Sequence, residues 1–194
     1  MRVLGFSGSP RLGGNTELLL AEFMRGAADA GTETETVRMV KVRFDPCISC
    51  NRCFKTGRCE VEDNFQPLYD KIVSADHIVI ASLIYFMGLS AWAKTLVDRC
   101  QCLWAKKYIL NQPVPDYRGG TARRGVFIST AGSNVKQAFD GAKFTVKFFF
   151  DAVGVAYWKD LCYLNVDEKG AIKNHPTALS DAYNAGKELV DASL

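Results

Sequence analysis

Histidine is almost missing: the 194-residue chain carries two, His77 and His175. No Ser/His/Asp triad assembles from so few, and little acid–base chemistry near neutral pH is on offer. Long apolar runs are missing as well. None approaches the roughly 20 residues that a membrane-spanning helix needs, and no basic stretch precedes an apolar one near Met1. The expectation is a cytoplasmic protein with no membrane partner, whose seven cysteines are not a disulfide framework. Charge of one sign is scarce: 24 Lys and Arg stand against 21 Asp and Glu, for a net charge of +3. With no basic run and no basic, aromatic-interleaved repeat, nucleic acid is not an expected partner. Two common phosphate signatures are also absent. No Lys precedes Thr16, as a P-loop requires, and Gly5, Gly8, Gly13 and Gly14 do not fall into Gly-x-Gly-x-x-Gly.

The stretch from Val3 to Thr16 is what the rest of the chain is organised around. An apolar strand breaks into the turn Ser7-Gly8-Ser9-Pro10-Arg11-Leu12-Gly13-Gly14 and opens a helix at Asn15 or Thr16. Backbone N–H groups freed by glycine, hydroxyls on Ser7, Ser9 and Thr16, and the positive end of the helix dipole converge on one small volume. Arg11 adds a charged donor. Such a turn suits a monophosphate, and Ser7, Ser9, Pro10, Arg11, Gly14, Asn15 and Thr16 are its candidate binding residues.

At 48% apolar, the chain is long enough for one well-cored domain and short of two, so residues 1–194 are read as one domain. Strand and helix alternate along it. Strands are expected at residues 2–7, 35–40, 77–81, 125–130 and 156–164, and helices at 16–30, 66–74, 90–103, 135–153 and 178–192. Residues 111–121, with Pro113, Pro115, Gly119 and Gly120, read as a loop. The alternation implies βαβ units, hence a doubly wound parallel α/β sheet. The loops at 7–15, 83–90 and 130–134 then open on one edge of that sheet. In the second, Leu83, Ile84, Tyr85, Phe86 and Met87 are the candidates for a planar ring, Tyr85 and Phe86 offering flat apolar surface and the loop's backbone N–H groups meeting the ring's polar edge. In the third, Thr130, Ala131 and Gly132 are small enough for close backbone approach.

Residues 41–65 interrupt the alternation after the second strand. Cys47, Cys50, Cys53 and Cys59 form C-x2-C-x2-C-x5-C, with Gly57 able to turn Cys59 back toward the others. Arg52, Lys55 and Arg58 are placed to offset thiolate charge. Zinc sites usually join two separated cysteine pairs, whereas C-x2-C-x2-C supplies three ligands of a [4Fe–4S] cluster in bacterial ferredoxins. A cluster, a thiol or disulfide-bearing insertion, and zinc all remain open on spacing alone. Cys100 and Cys102, two apart on an expected helix, point to opposite faces and read as buried small apolar residues. On the helix at 135–153, Phe139, Ala142, Val146, Phe149 and Val153 make one stripe that Phe144 and Phe148 widen. So broad a surface predicts a homo-oligomer, a homodimer or homotetramer.

Gly-Ser-Pro-Arg followed by Gly-Asn-Thr resembles the phosphate loop of flavodoxin-like FMN-binding reductases, and Ser82 to Phe86 is similar to their Ser-Pro-x-Tyr-Phe loop, with Leu83 in the proline's place. Joined to the cysteine motif, this resembles the iron-sulfur flavoprotein family, within the NADPH-dependent FMN reductase superfamily. The resemblance implies a flavodoxin-like five-stranded parallel sheet in the order 2-1-3-4-5, with FMN at the carboxyl ends of strands 1 and 3. It also implies that Cys47, Cys50, Cys53 and Cys59 hold a [4Fe–4S] cluster, lying near a flavin across a subunit interface. The expected activity is FMN-dependent electron transfer from a ferredoxin-like donor or NAD(P)H to a quinone, oxygen species or protein. Two alternatives stand beside it: an NAD(P)H-dependent FMN or quinone reductase without a cluster, and a noncatalytic flavin carrier or zinc-stabilised binding protein. With redox cofactors carrying the chemistry, no catalytic side chain is assigned.

Overall fold

The computed structural model describes residues 1–114 and 122–193, so residues 115–121 of the expected loop lie outside it. Its elements are β1 (Arg2–Ser7), α1 (Asn15–Asp29), β2 (Glu33–Arg38), α2 (Cys53–Thr56), α3 (Phe65–Ser74), β3 (His77–Tyr85), β4 (Gly88–Leu89), α4 (Ala91–Arg99), α5 (Gln101–Tyr108), β5 (Arg124–Thr130), α6 (Asp140–Ala152), β6 (Ala156–Tyr163) and α7 (Ala178–Asp191), with 3-10 turns at Met39–Lys41 and Ala171–Asn174. Five strands run parallel in the order β2-β1-β3-β5-β6, and β4 pairs antiparallel with the end of β3. The five-strand order is the one expected.

The central strands are apolar on both faces because helices cover both faces. In β1, Val3 packs with α1 and α7, while Leu4 and Phe6 point to the opposite layer; Val79 and Ala81 of β3 alternate with Ile78 and Ile80 in the same way. One core lies under α1 and α7, around Leu19, Phe23 and Leu189. The other lies under α3, α4, α5 and α6, around Phe65, Leu96, Phe127 and Phe150. His77 is buried at the start of β3, where its Nδ1 accepts the Arg124 N–H at 3.1 Å. Burial pulls its pKa down to about 4, so the ring is neutral and structural.

Several boundaries differ from expectation, each for a local reason. β2 begins at Glu33 and ends at Arg38, because the chain then tightens into the 3-10 turn at Met39–Lys41. β3 does not end at Ala81; it continues to Tyr85 and turns back through Phe86 and Met87, at φ 48° and 61°, into β4. Two central residues at positive φ make a tight hairpin turn of the kind that usually carries Asn-Gly, and Phe-Met carries no such signal. The helix expected at 90–103 breaks at Cys100 into α4 and α5. Ser90 caps α4 as expected, its hydroxyl accepting from the Ala93 N–H. The helix expected at 135–153 starts only at Asp140, the preceding residues making separate turns. Among the described residues no helix is long and apolar enough to cross a membrane.

Candidate functional site

The carboxyl edge of the sheet gathers the turns named from the sequence. The Gly8 N–H donates to Ala81 O at 2.8 Å, and Ser90 Oγ donates to Gly8 O at 2.8 Å. Ser82 Oγ accepts the Ser90 N–H at 3.0 Å, and Ser129 Oγ donates to Ser82 O at 2.7 Å. These bonds tie the loops after β1, β3 and β5 into one rigid rim. Within it lies a cavity of about 80 Å³ that Ser9, Pro10, Arg11, Gly14, Asn15 and Thr16 line together with Leu83, Ile84, Tyr85, Thr130 and Gly132.

The cavity's phosphate end is built by the start of α1. Gly14 is the N-cap, and the first helical bond runs from the Leu18 N–H to Gly14 O at 2.9 Å. The N–H groups of Asn15, Thr16 and Glu17 thus lie ahead of the helical ladder, at the positive end of a 15-residue helix. A β-carbon on Gly14 would lie 2.8 Å from Ser9 Oγ, filling the cradle. The Ser7 hydroxyl is buried with no hydrogen-bond partner among the described residues, behind the cavity rather than in its lining. On these observations the turn fits a monophosphate ester.

Not every expected residue faces that cavity. Ser7, Phe86, Met87 and Ala131 are outside its lining. Phe86 is wholly exposed at the hairpin tip, since the turn carries it past the sheet edge. Ala131 spends its N–H on Tyr163 O and its carbonyl on the Val166 N–H, both at 3.0 Å. Asn15 lines the cavity, but its side chain is committed elsewhere: Nδ2 donates to Glu168 O at 2.8 Å and Oδ1 accepts the Ile172 N–H at 3.2 Å.

That commitment shows what sequence reasoning missed. The segment after β6 closes the fourth wall with Val166, Asp167 and Lys169. Lys169 Cε passes near Gly13, at 3.7 Å from where a β-carbon would be, while Asp167 Oδ1 stands 3.0 Å from the equivalent point on Gly132. A cation thus stands beside the first loop and a carboxylate beside the third. Only Asp-Glu-Lys-Gly in a polar loop marks this segment in the sequence, and no spacing rule links it to Gly13.

The cysteine segment forms a second, larger cavity of about 740 Å³, and Cys47, Cys50, Cys53 and Cys59 all line it. Ser49 and Asn51, two of the four residues between the first three thiols, sit at φ 53° and 57°, a left-handed backbone that bends the segment tightly. Gly57, at φ 70°, ends α2 and turns Cys59 back, as its position suggested. Burial pushes the Cys53 thiol above its ordinary range, and the nearby Cys47, Cys59 and Cys50 push it further. The four sulfurs thus share one electrostatic neighbourhood. Among the described residues no three His, Cys, Asp or Glu side chains stand at metal-holding geometry. In donor type, four thiols lining one cavity suit a thiolate-ligated cluster.

The cations around this cavity are not those expected. Arg58 pairs with Asp70 at 2.8 Å and lies over the Tyr69 ring, while Arg52 and Lys55 are exposed. The guanidinium that reaches a thiol is Arg99, whose Nη2 donates to Cys59 Sγ at 3.3 Å. Lys94 forms a half-exposed pair with Asp98 at 2.7 Å. Because the helix breaks at Cys100, both Cys100 and Cys102 line the cavity rather than opposite faces. Both are buried, and burial, with Cys59 and Cys53 nearby, raises Cys102 to about 12. Phe144 and Phe148 of α6 stand on the same cavity's wall, edge to face at 5.0 Å and more than half exposed.

The family model described as NADPH-dependent FMN reductase matches residues 1–152. An iron-sulfur flavoprotein of Methanocaldococcus jannaschii is 38% identical over 125 residues, 64% of this chain and 65% of its own length. An iron-sulfur flavoprotein of Methanosarcina thermophila is 33% identical over 114 residues, 59% of this chain and 60% of its own length. The chain thus spans less than two thirds of these relatives. Among solved structures, an NAD(P)H:quinone oxidoreductase from Methanothermobacter marburgensis superposes with a TM-score of 0.65, at 15% identity, over 97% of this chain and 98% of its own. That likeness is one of fold.

Proposed function

The chain belongs to the NADPH-dependent FMN reductase family, and from that premise we propose that it is an FMN-dependent electron-transfer oxidoreductase carrying a [4Fe–4S] cluster. Electrons pass from a ferredoxin-like donor or NAD(P)H to a quinone, an oxygen species or a protein acceptor. The observation that carries this reading is the pairing, in one chain, of a monophosphate cradle with a cavity that all four motif cysteines line. The names of its iron-sulfur flavoprotein relatives support the same pairing. FMN supplies one- and two-electron chemistry and a [4Fe–4S] cluster supplies one-electron chemistry. The protein's part is to hold and orient. Ser9, Thr16, Arg11 and the first N–H groups of α1 take the phosphate, with Lys169 as a further cation. Leu83, Ile84 and Tyr85 offer the ring its flat wall, and Cys47, Cys50, Cys53 and Cys59 hold the cluster.

Anaerobic mixing with a one-electron donor tests the reading. A reduced ferredoxin is expected to bleach the flavin absorption of the loaded protein, and to fail when the four cysteines are replaced by serine. Equal bleaching by NAD(P)H in both proteins, with no response to the ferredoxin in either, would instead establish the reductase without a cluster. The exposed Phe144–Phe148 pair is a surface that a second copy of this chain would cover, making a homodimer or homotetramer. Sedimentation at micromolar concentration should show the assembly, and a sole monomer would overturn it.

A further inference from the structure

We propose that Arg99 sets the one-electron reduction equilibrium of the cluster through its hydrogen bond to Cys59; this rests on the reading of the four cysteines as cluster ligands. The side chain of Arg99 is 1% exposed, which makes it a charge held almost out of water at the end of α4. Every donor but one is committed. Nη1 donates to Asp45 O at 2.8 Å and to Asp63 Oδ2 at 2.5 Å, and Nη2 donates to Asp63 Oδ1 at 3.0 Å and to Cys59 Sγ at 3.3 Å. Its plane is braced by Phe65, 4.6 Å from the guanidinium carbon to the ring centre, and by Phe44 at 5.6 Å.

These contacts span the whole cysteine segment. Asp45 precedes Cys47 and Asp63 follows Cys59, so one guanidinium clasps both ends of the insertion and touches the last thiol between them. A clasp alone would be served by the carboxylate and the carbonyl. The sulfur contact is additional, and it is made by the cation while Asp63 receives the other edge of the fork. Nε is buried without a partner among the described residues, so the side chain carries a desolvation cost that the clasp does not recover.

Hydrogen bonds to cluster sulfurs and nearby charge are among the chief determinants of cluster potential. On reduction the cluster gains one electron, no bond to Cys59 forms or breaks, and its net charge becomes more negative by one. A buried donor cation on a ligand sulfur therefore favours the reduced form, with little solvent screening. Arg52 and Lys55 are exposed and act only through screened solvent.

Potentiometric titration of the iron-loaded, FMN-loaded protein with dithionite, followed by electron paramagnetic resonance, tests the assignment. Arg99→Gln is expected to shift the oxidised-to-reduced ratio at a given potential about tenfold toward oxidised, a fall of about 59 mV for one electron. Arg99→Lys, which keeps the charge but not the fork, should fall between this variant and the wild type. Asp63→Asn leaves the cation without its counter-charge and should move the potential in the opposite direction. If Arg99→Gln loses the cluster, the Lys and Asp63 variants decide the matter. Iron-loaded variants at the wild-type potential would leave Arg99 as a clasp only and overturn the proposal. Wild-type protein that binds no iron would overturn the cluster reading itself, and the proposal with it.

Discussion

Cys53→Ser is expected to reduce bound iron from about four per chain to a small fraction of that, while FMN binding is unchanged. A serine hydroxyl does not ionise under conditions where a metal-bound thiol does, so it cannot replace a thiolate ligand. Cys53 is the member of the set with all three others close enough to raise its pKa, and its loss removes the middle of the arrangement. The FMN cradle shares no lining residue with the cysteine cavity. Iron, sulfide and released FMN measured on the same preparation check this. The control is Cys162→Ser, a change in β6 outside the cavity lining, which should leave iron unaltered. Wild-type iron content in Cys53→Ser would show that the segment is not a metal site.

Arg123→Leu is expected to destabilise the fold by about 4.5–9 kcal/mol, from three charge-assisted hydrogen bonds at about 1.5–3 kcal/mol each. Its guanidinium donates to Ile72 O at 2.5 Å, Val153 O at 2.6 Å and Ala75 O at 2.9 Å. Those carbonyls belong to the ends of α3 and α6, where a helix leaves acceptors without partners. Burial lowers the pKa of Arg123 to about 10, so it is charged at neutral pH. Leucine fills the volume but strands the buried carbonyls. Total stability of a domain is only about 5–15 kcal/mol, so the variant should be largely unfolded at moderate temperature. Urea titration of both proteins measures the difference, and a loss below about 1 kcal/mol would contradict this account of the site.

The parts of the fold legible in the sequence were those whose signals are local. β1 reads from Arg2 to Ser7 because an apolar run ends abruptly in Gly and Ser, and the parallel sheet follows from alternation with helices, while its strand order came from the family resemblance. The turn that opens α1 was legible for the same reason: its glycines, hydroxyls and helix start are contiguous. What escaped depended on distant partners or on rule-breaking backbone. The Phe86-Met87 turn uses positive φ without Gly or Asn. The break at Cys100 has neither Gly nor Pro to mark it, and α6 begins five residues later than the stripe from Val135 suggests. Arg99 meets Cys59 across 40 positions, so nearer cations looked the better candidates. Lys169 comes to Gly13 in the first loop and Asp167 to Gly132 in the third, from a segment after β6 that Asn15 latches.

The central claim is that one chain holds both FMN and a four-iron cluster. Protein prepared without oxygen, with its absorption spectrum, iron, sulfide, zinc and released FMN taken on one sample, tests it most directly. The account predicts about one FMN with about four iron and four sulfide per chain, and a broad iron–sulfur absorption beneath the flavin bands. FMN with neither iron nor sulfide, or zinc in their place, would contradict it at the cysteines, and no FMN after its addition would contradict it at the first loop.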